Sequence, residues 1–295
     1  MSTFLQLFLR SLETGSIYAL AALGIIIVYR TNLMVNFAQG TMGMFGAYIV
    51  TMIFNKLALP LTLCIALGIV AGILIGFVVD FVIIRRTKRV SGTGKEIITL
   101  GMMMIFLGIS PLLFGVDPMR LPRLIESGSF SIGEASISYN GLFNIVFGLA
   151  VTIALFVIIQ NTKLGLAIRT TASSERTARL MGVPTKLVTL FSWALAMVLG
   201  TLAGVMIAPA TSVTTSLMDT VQVCAFIACV LGGFQTFYGP VIGAYIIAVA
   251  NNLLIFYLPS GVGSVWGTQI LYVLIIIFIV FKPVGLIGKK VTKKV

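Results

Sequence analysis

Residues 59–84 read LPLTLCIALGIVAGILIGFVVDFVII, and the basic pair Arg85 and Arg86 follows directly. A membrane-spanning helix needs about 20 apolar residues, and this stretch exceeds that length with one charged residue, Asp80, near its end. Backbone polar groups cannot be left bare in lipid, and the stretch lacks the alternating pattern of a barrel strand. It therefore predicts a transmembrane helix that ends at a basic loop.

The rest of the chain divides into apolar runs of similar character. The runs lie at about residues 12–29, 34–55, 59–84, 97–115, 141–161, 187–208, 221–232, 237–257 and 265–281. Most are long enough to cross a membrane, whereas 221–232 is not. The composition, 59% hydrophobic and 9% charged, agrees, because soluble domains carry about 25% charged residues. The sequence predicts an all-α polytopic transmembrane helical bundle of about eight to nine membrane segments, some broken, in a single transmembrane domain over residues 1–295.

The basic residues give the orientation. Lys and Arg number 20 against 8 Asp and Glu, a net charge of +12. We interpret this excess as an orientation signal rather than a nucleic-acid-binding surface, because short basic loops stay in the cytoplasm. The three basic segments contain Arg85, Arg86, Lys88, Arg89 and Lys95; Lys163, Arg169, Arg176, Arg179 and Lys186; and Lys282, Lys289, Lys290, Lys293 and Lys294. All three basic segments lie on the same side of the membrane if the short 221–232 run counts as a crossing or a deep half-helix.

The loop 116–140 then lies on the extracytoplasmic side. Its residues 129–138 alternate between polar and apolar around a central glycine, which predicts a small hairpin. The loop is either a docking surface for a partner or a solvated connector. Single crossings by the first three runs put the N-terminus outside, unless residues 4–10 lie along the interface or form part of another crossing.

Catalysis, nucleotide binding and metal binding find little support in the sequence. The chain has no histidine, and its three cysteines lie in apolar runs, where we interpret them as buried hydrophobic residues. Residues 92–95, GTGK, lack two positions of a phosphate-binding loop, which are Arg89 and Glu96 here. No span carries a convincing central carboxylate, which counts against coupling to protons or sodium. We predict no catalytic residue, no metal site and no cofactor in this chain.

Glycine and polar residues interrupt the apolar runs at two places. Residues 36–40 read NFAQG, and residues 231–240 read LGGFQTFYGP. Broken helices occur at membrane depth where they line a cavity or are buried in protein, and transporters place binding sites there. The predicted translocation-pathway residues are Asn36, Gln39, Gly40, Gly232, Gly233 and Gln235. The alternative for any one amide is a hydrogen bond between helices, and for glycines such as Gly68, Gly72 and Gly76 it is close helix packing.

The cytoplasmic loop 163–186 predicts a short amphipathic helix of about ten residues. Ser173 or Thr170 can cap its start, and Gly182 followed by Pro184 stops it. A helix of that length is not stable alone in water, so lipid headgroups or another protein should hold it.

Several blocks resemble the permease subunits of bacterial ABC importers for branched-chain amino acids. The blocks are GSIYAL at 15–20 with Tyr29, NFAQG at 36–40, residues 169–184 with LMGV at 180–183, and residues 231–243. They occur in the family's order over nearly the whole chain. The position of Gln39 is usually His in the family, so the chain departs from the pattern there.

The resemblance implies a function and partners. A member of this family is a permease domain in the bacterial cytoplasmic (inner) membrane that imports branched-chain or other small amino acids. Its expected partners are a second permease subunit in a homodimer or heterodimer, two cytoplasmic ABC ATPases, an extracytoplasmic substrate-binding protein and membrane lipid. The short loop helix would be the coupling helix that sits in an ATPase groove. The ATPase-coupling residues are then Ala172, Glu175, Arg179, Leu180, Met181 and Gly182.

Two other functions stay open at this point. Related permeases carry urea or short amides, and this chain could be one of them. An autonomous secondary transporter or channel would need coupling carboxylates or transport without ATP. A membrane-embedded enzyme is disfavoured, because it needs a nucleophile and a base inside the bilayer.

Overall fold

The computed structural model describes residues 2–87, 90, 92–132, 135–282 and 285–287. Helices account for most of this range: α1 Ser2–Asn32, α2 Gln39–Leu57, α3 Leu61–Val78, α4 Gly92–Phe114, α5 Tyr139–Asn161, α6 Lys163–Ser173, α7 Glu175–Leu180, α8 Thr185–Thr211, α9 Asp219–Gly232, α10 Tyr238–Tyr257 and α11 Ser260–Phe281. The predicted all-α transmembrane bundle is confirmed. The basic residues Lys88, Arg89, Lys289, Lys290, Lys293 and Lys294 lie outside the described residues.

Six helical segments in the described part of the chain are long and apolar enough to cross a membrane. They are Thr3–Asn32, Leu61–Thr87, Gly92–Phe114, Tyr139–Asn161, Thr185–Thr211 and Tyr238–Tyr257. By contrast, α9 has 14 residues and a length of about 21 Å, short of a hydrocarbon core about 30 Å thick. The prediction that this run is too short for a full crossing is confirmed. The chain is a multi-pass membrane protein.

The first crossing begins earlier than predicted. Residues 4–10 neither form another crossing nor break from the first one, because they continue α1 without interruption. No glycine or proline occurs between residues 2 and 14, and the Ser11 hydroxyl donates to the Leu7 carbonyl one turn earlier at 2.7 Å. The helix therefore has 31 residues.

A small hairpin connects α4 to α5. Its strands are β1 Ser129–Ile132 and β2 Ala135–Ser138, paired antiparallel with Ser129 opposite Ser138. The alternation that predicted a hairpin rather than a helix is therefore confirmed. The Ser138 hydroxyl accepts from the Gly141 amide at 3.0 Å, so the end of the hairpin also caps the next transmembrane helix.

Glycines let the central helices approach backbone to backbone. Between α2 and α8, a Cβ on Gly43 would lie 2.6 Å from the Gly200 carbonyl oxygen. Between α3 and α8, a Cβ on Gly76 would lie 2.7 Å from the Ala194 Cα. Gly68, Gly72 and Gly76 are all buried, so the packing face predicted for the third run is confirmed.

The basic loops collect at one end of the bundle. Arg85 after α3, Lys95 in α4 and Arg179 in α7 line one cavity, so the first two basic segments lie on the same side. Arg169 in α6 and Gln235 before α10 line a second cavity, which places the α9–α10 connection at that end too. The opposite end carries the hairpin and an antiparallel bridge between Met119 and Val213.

Labelling with an impermeant thiol reagent should distinguish the two ends. A Ser173→Cys variant should react only from the cytoplasm and Ser131→Cys only from outside, because short basic loops stay in the cytoplasm. Ser173 is preferable to its neighbour Ser174, whose side chain caps a helix. The parent protein is the control, since its three cysteines are buried and should not react. Cytoplasmic labelling at residue 131 would contradict this orientation.

Candidate translocation and coupling sites

The first break separates α1 from α2. Residues 33–38 are not helical, and Leu33 has φ 51°. Asn36 is fully buried and closes a local turn: its Oδ1 accepts from the Ala38 amide at 3.1 Å, and its Nδ2 donates to Gln39 Oε1 at 3.2 Å. The predicted interruption of the helix is thus present. The buried Asn36 side chain accepts a hydrogen bond from a backbone amide that the interruption leaves without a helical partner.

The amides beside this break join three helices. Gln39 Nε2 donates to the Ala196 carbonyl of α8 at 2.8 Å, and Gln39 also packs against Gly24 of α1. Ala196 lies 11 residues after the start of α8 at Thr185, about 17 Å along its axis, so this contact is near the middle of the bundle. Gln39 therefore holds the start of α2 against α8.

Gln222, a polar residue beside an apolar run, lies at this site although it was not among the predicted pathway residues. Its Oε1 accepts from the Gly40 amide at 2.8 Å, and its Nε2 donates to the Phe37 carbonyl at 2.6 Å. A Cβ on Gly40 would lie 2.2 Å from Gln222 Oε1, so a larger residue at 40 would displace this amide. The only local signal was an amide near the start of an apolar run, which does not reveal a partner more than 180 residues away.

The second break lies between α9 and α10 at the basic end. Gly233 has φ 90°, a conformation that favours glycine, and a Cβ on Gly232 would lie 2.0 Å from the Gly239 carbonyl oxygen. Gln235 is exposed, and its carbonyl accepts from Arg30 Nη1 at the end of α1. The glycines here permit a tight connection between two helices.

The two breaks are not brought together. Gln222, beside the first break, and Gly232, in the second, are ten residues apart on α9, or about 15 Å. Gln39 bonds to α8 and Gln222 bonds across to the first break, which is the alternative that the sequence left open, whereas Asn36 bonds within its own turn. A pathway role for Asn36, Gln39 and Gly40 stays a prediction, as it does for Gly232, Gly233 and Gln235.

The loop 163–186 contains two helices rather than one. Ser174 is extended, with φ −161°, and separates α6 from α7; its hydroxyl accepts from the Thr177 amide at 3.2 Å. The prediction of Ser173 or Thr170 as the cap was wrong: Ser173 ends α6, and the Thr170 hydroxyl donates to the Leu166 carbonyl. The cap lies one residue later, at Ser174, because α6 includes both Thr170 and Ser173.

The end of α7 is as predicted. Gly182 has φ 79° and follows the last turn, where the left-handed conformation stops a helix. The Arg179 Nε donates to Thr185 Oγ1 at 3.0 Å, and its Nη2 pairs with Glu175. Thr185 begins α8, so these contacts tie α7 to a membrane-spanning helix.

Two apolar side chains of this loop point away from the bundle. Leu180 is 83% exposed and Met181 is 74% exposed, whereas Ala178 is buried against the bundle and Ala172 is half-buried. Long apolar side chains exposed on an ordered loop at the basic end are available for contact with another protein. The ATPase-coupling role of this set stays a prediction, and the geometry provides exposed residues for it.

The fold is that of a multi-pass helical membrane protein with an ordered, exposed loop at its basic end. The model of the family described as "Branched-chain amino acid transport system / permease component" matches residues 7–280. The chain therefore belongs to this permease family, and the resemblance seen in the sequence is confirmed.

Curated relatives extend over nearly the whole chain. The chain is 27% identical to the probable branched-chain amino acid transport permease protein LivH of Methanocaldococcus jannaschii, over 94% of this chain and 91% of that protein. It is 29% identical to the high-affinity branched-chain amino acid transport system permease protein LivH of Salmonella typhimurium, over 99% and 98%. It is 26% identical to the corresponding permease BraD of Pseudomonas aeruginosa, again over 99% and 98%. No solved structure gives a significant match.

Proposed function

We propose that this chain is a permease subunit of an ATP-driven ABC importer in the bacterial cytoplasmic membrane. It would form part of the translocation pathway for branched-chain or other small amino acids. Membership of the permease family and the names of its relatives support this proposal. The structural observation that carries it is α7, which holds Leu180 and Met181 exposed at the basic end of the bundle.

The proposed partners follow from this role. Two cytoplasmic ABC ATPases would hydrolyse ATP and receive α7, and a second permease subunit, identical or not, would complete the pathway. An extracytoplasmic substrate-binding protein would deliver the amino acid at the end that carries the hairpin. We propose no catalytic residue, cofactor or nucleic-acid partner for this chain.

A urea or short-amide permease is the second candidate. The position of Gln39 is usually His in the family, and here the amide lies near the middle of the bundle, bonded to Ala196. An amide and an imidazole present different donors and acceptors to a passing solute. A substrate other than a branched-chain amino acid is therefore compatible with this position.

Reconstitution tests the proposal and its rival. The chain should be co-expressed with a second permease and two ATPases encoded by neighbouring genes, then placed in proteoliposomes with the binding protein outside. Leucine uptake should require ATP at the ATPase side and should fail when the phosphate-loop Lys of the ATPase is replaced. The permease alone should neither hydrolyse ATP nor concentrate leucine.

Two outcomes would contradict parts of this assignment. Accumulation by the chain alone, driven by a proton or sodium gradient, would make it a secondary transporter. ATP-dependent uptake that urea or acetamide blocks and leucine does not would keep the importer and replace its substrate.

A further inference from the structure

A cavity of about 450 Å³ opens at the basic end, between the last turns of α1 and α5, helix α6 and the loop before α10. Its lining includes Arg30, Gln160, Arg169, Gln235, Phe237 and Tyr238. No acidic side chain lines it among the described residues, so its two charged groups are both arginines. This differs from the neighbouring cavity at the same end, where carboxylates of Asp80 and Glu175 offset the basic residues.

Arg30 has donors that the protein does not use. Its Nη1 donates to the Gln235 carbonyl, and its guanidinium lies 5.1 Å from the centre of the Phe237 ring. Its Nε is buried, and among the described residues it has no hydrogen-bond acceptor. The Nε atom is too buried to reach a ligand, but the guanidinium charge has no carboxylate beside it among the residues that line the cavity, so an anion there would stabilise the charge of Arg30.

Arg169 supplies the second guanidinium from the cytoplasmic loop. Its Nη2 donates to the Gln160 carbonyl at 3.1 Å, which fixes the side chain against the end of α5 while the residue stays exposed. Guanidinium groups donate pairs of parallel hydrogen bonds that fit a phosphate group. Two of them in one cavity without a carboxylate therefore indicate a phosphate-bearing ligand.

The side of the bundle above this cavity fits acyl chains. On α5, Ile153 is 59% exposed, one turn before the cavity-lining Phe156. On α10, Ile242 and Ile246 are 44% and 43% exposed and follow Tyr238 at helical spacing. These two apolar faces lead from the cavity toward the middle of the membrane.

Helix α1 contacts both of these helices. Its Ser16 bonds to the Tyr245 hydroxyl of α10 at 2.9 Å, and a Cβ on Gly148 of α5 would lie 2.7 Å from Ser16 Cβ. Helix α1 thus packs against both helices that carry the apolar faces, and the basic cavity with its aromatic residues lies at their shared end. Basic pockets between helices on the cytoplasmic side suit phospholipid headgroups, and aromatic residues concentrate at that depth.

We propose that this cavity binds the phosphate of an anionic phospholipid from the cytoplasmic leaflet. Arg30 and Arg169 hold the phosphate, and the exposed faces of α5 and α10 receive the acyl chains. The site does not depend on the transported substrate. It joins α1 and α5 to the loop that contains α6 and α7, so the lipid would bridge membrane helices and cytoplasmic loop.

Lipid binding can be measured on the purified full-length chain. The protein is delipidated, placed in nanodiscs of phosphatidylcholine with or without phosphatidylglycerol, and the retained lipid is counted by native mass spectrometry. The wild type should retain phosphatidylglycerol in preference to phosphatidylcholine. Arg169→Gln should weaken that retention by about fivefold, the effect of one basic residue on an anionic lipid.

Matched variants separate the cavity from general surface charge. Arg176→Gln removes an exposed arginine of the same loop that does not line this cavity, and should leave retention unchanged. Arg30→Lys keeps the charge but loses the planar guanidinium, so it should weaken retention of the lipid. The thermal unfolding midpoint of this variant shows whether the protein is folded. Equal effects of Arg169→Gln and Arg176→Gln, or none from either, would overturn the proposal.

Two further results would assign the cavity to another ligand. Displacement of phosphatidylglycerol by inorganic phosphate at comparable concentration would make it a site for soluble phosphate. Loss of ATPase co-purification in Arg169→Gln with unchanged lipid retention would make it a contact for an acidic side chain of a partner. Either result overturns the lipid assignment.

Discussion

Leu180→Glu should release the ATPase partners from this chain while leaving it folded in the membrane. Leu180 is 83% exposed on α7, outside every membrane-spanning segment, so insertion does not depend on it. In an apolar groove the new carboxylate would lose its hydration without gaining a partner, at a cost of a few kcal/mol. At 1.4 kcal/mol per decade this weakens ATPase binding by roughly a hundredfold.

The measurements are permease level in membranes, ATPase co-purification and uptake. Leu180→Met is the conservative control and should behave as the wild type, because volume and polarity are nearly kept. Leu166→Glu is the matched control: Leu166 is 54% exposed on α6 in the same loop, and a carboxylate there should leave ATPase binding intact. Normal ATPase binding in Leu180→Glu would remove the coupling role from α7.

The membrane helices were predictable because their signal is local. A long apolar run with basic residues at its end determines its own helix, and the stop at Gly182 depends only on a residue that tolerates φ 79°. The hairpin was equally local, since alternation around a glycine needs no distant partner. Most predicted ends lie within about six residues of the observed ones, whereas α1 begins at Ser2, ten residues before the predicted run.

The details of the candidate sites depend on contacts distant in sequence. Whether Ser173 or Ser174 caps α7 is decided by where α6 ends, and two adjacent serines offer the same chemistry. The bond from Gln222 to the Phe37 carbonyl joins residues on different helices. Arg30 and Arg169 share a cavity although no motif connects them. Sequence patterns predict the helices and strands, but these contacts between distant residues depend on how the helices pack.

Gly43→Ala should destabilise the protein, although it adds one methyl group. The new Cβ would lie 2.6 Å from the Gly200 carbonyl oxygen and 2.9 Å from its carbonyl carbon. Gly204 closes the contact from the other side, where its own Cβ would lie 2.8 Å from the Gly43 oxygen. These neighbours are backbone atoms, so α2 and α8 must separate as rigid helices. Overpacking of this kind costs about 1–3 kcal/mol or more.

Gly101→Ala is the matched control for this prediction. Gly101 also lies inside a membrane helix, α4, but a Cβ there would meet no atom within 4 Å. Both substitutions remove the backbone freedom of glycine. The loss of this freedom by itself stabilises the helix by about 0.5–1 kcal/mol. Thermal unfolding in detergent should therefore show a lower midpoint for Gly43→Ala and an unchanged or higher one for Gly101→Ala. Equal midpoints would mean that α2 and α8 do not touch at Gly43, and the central packing of the bundle would then need another explanation.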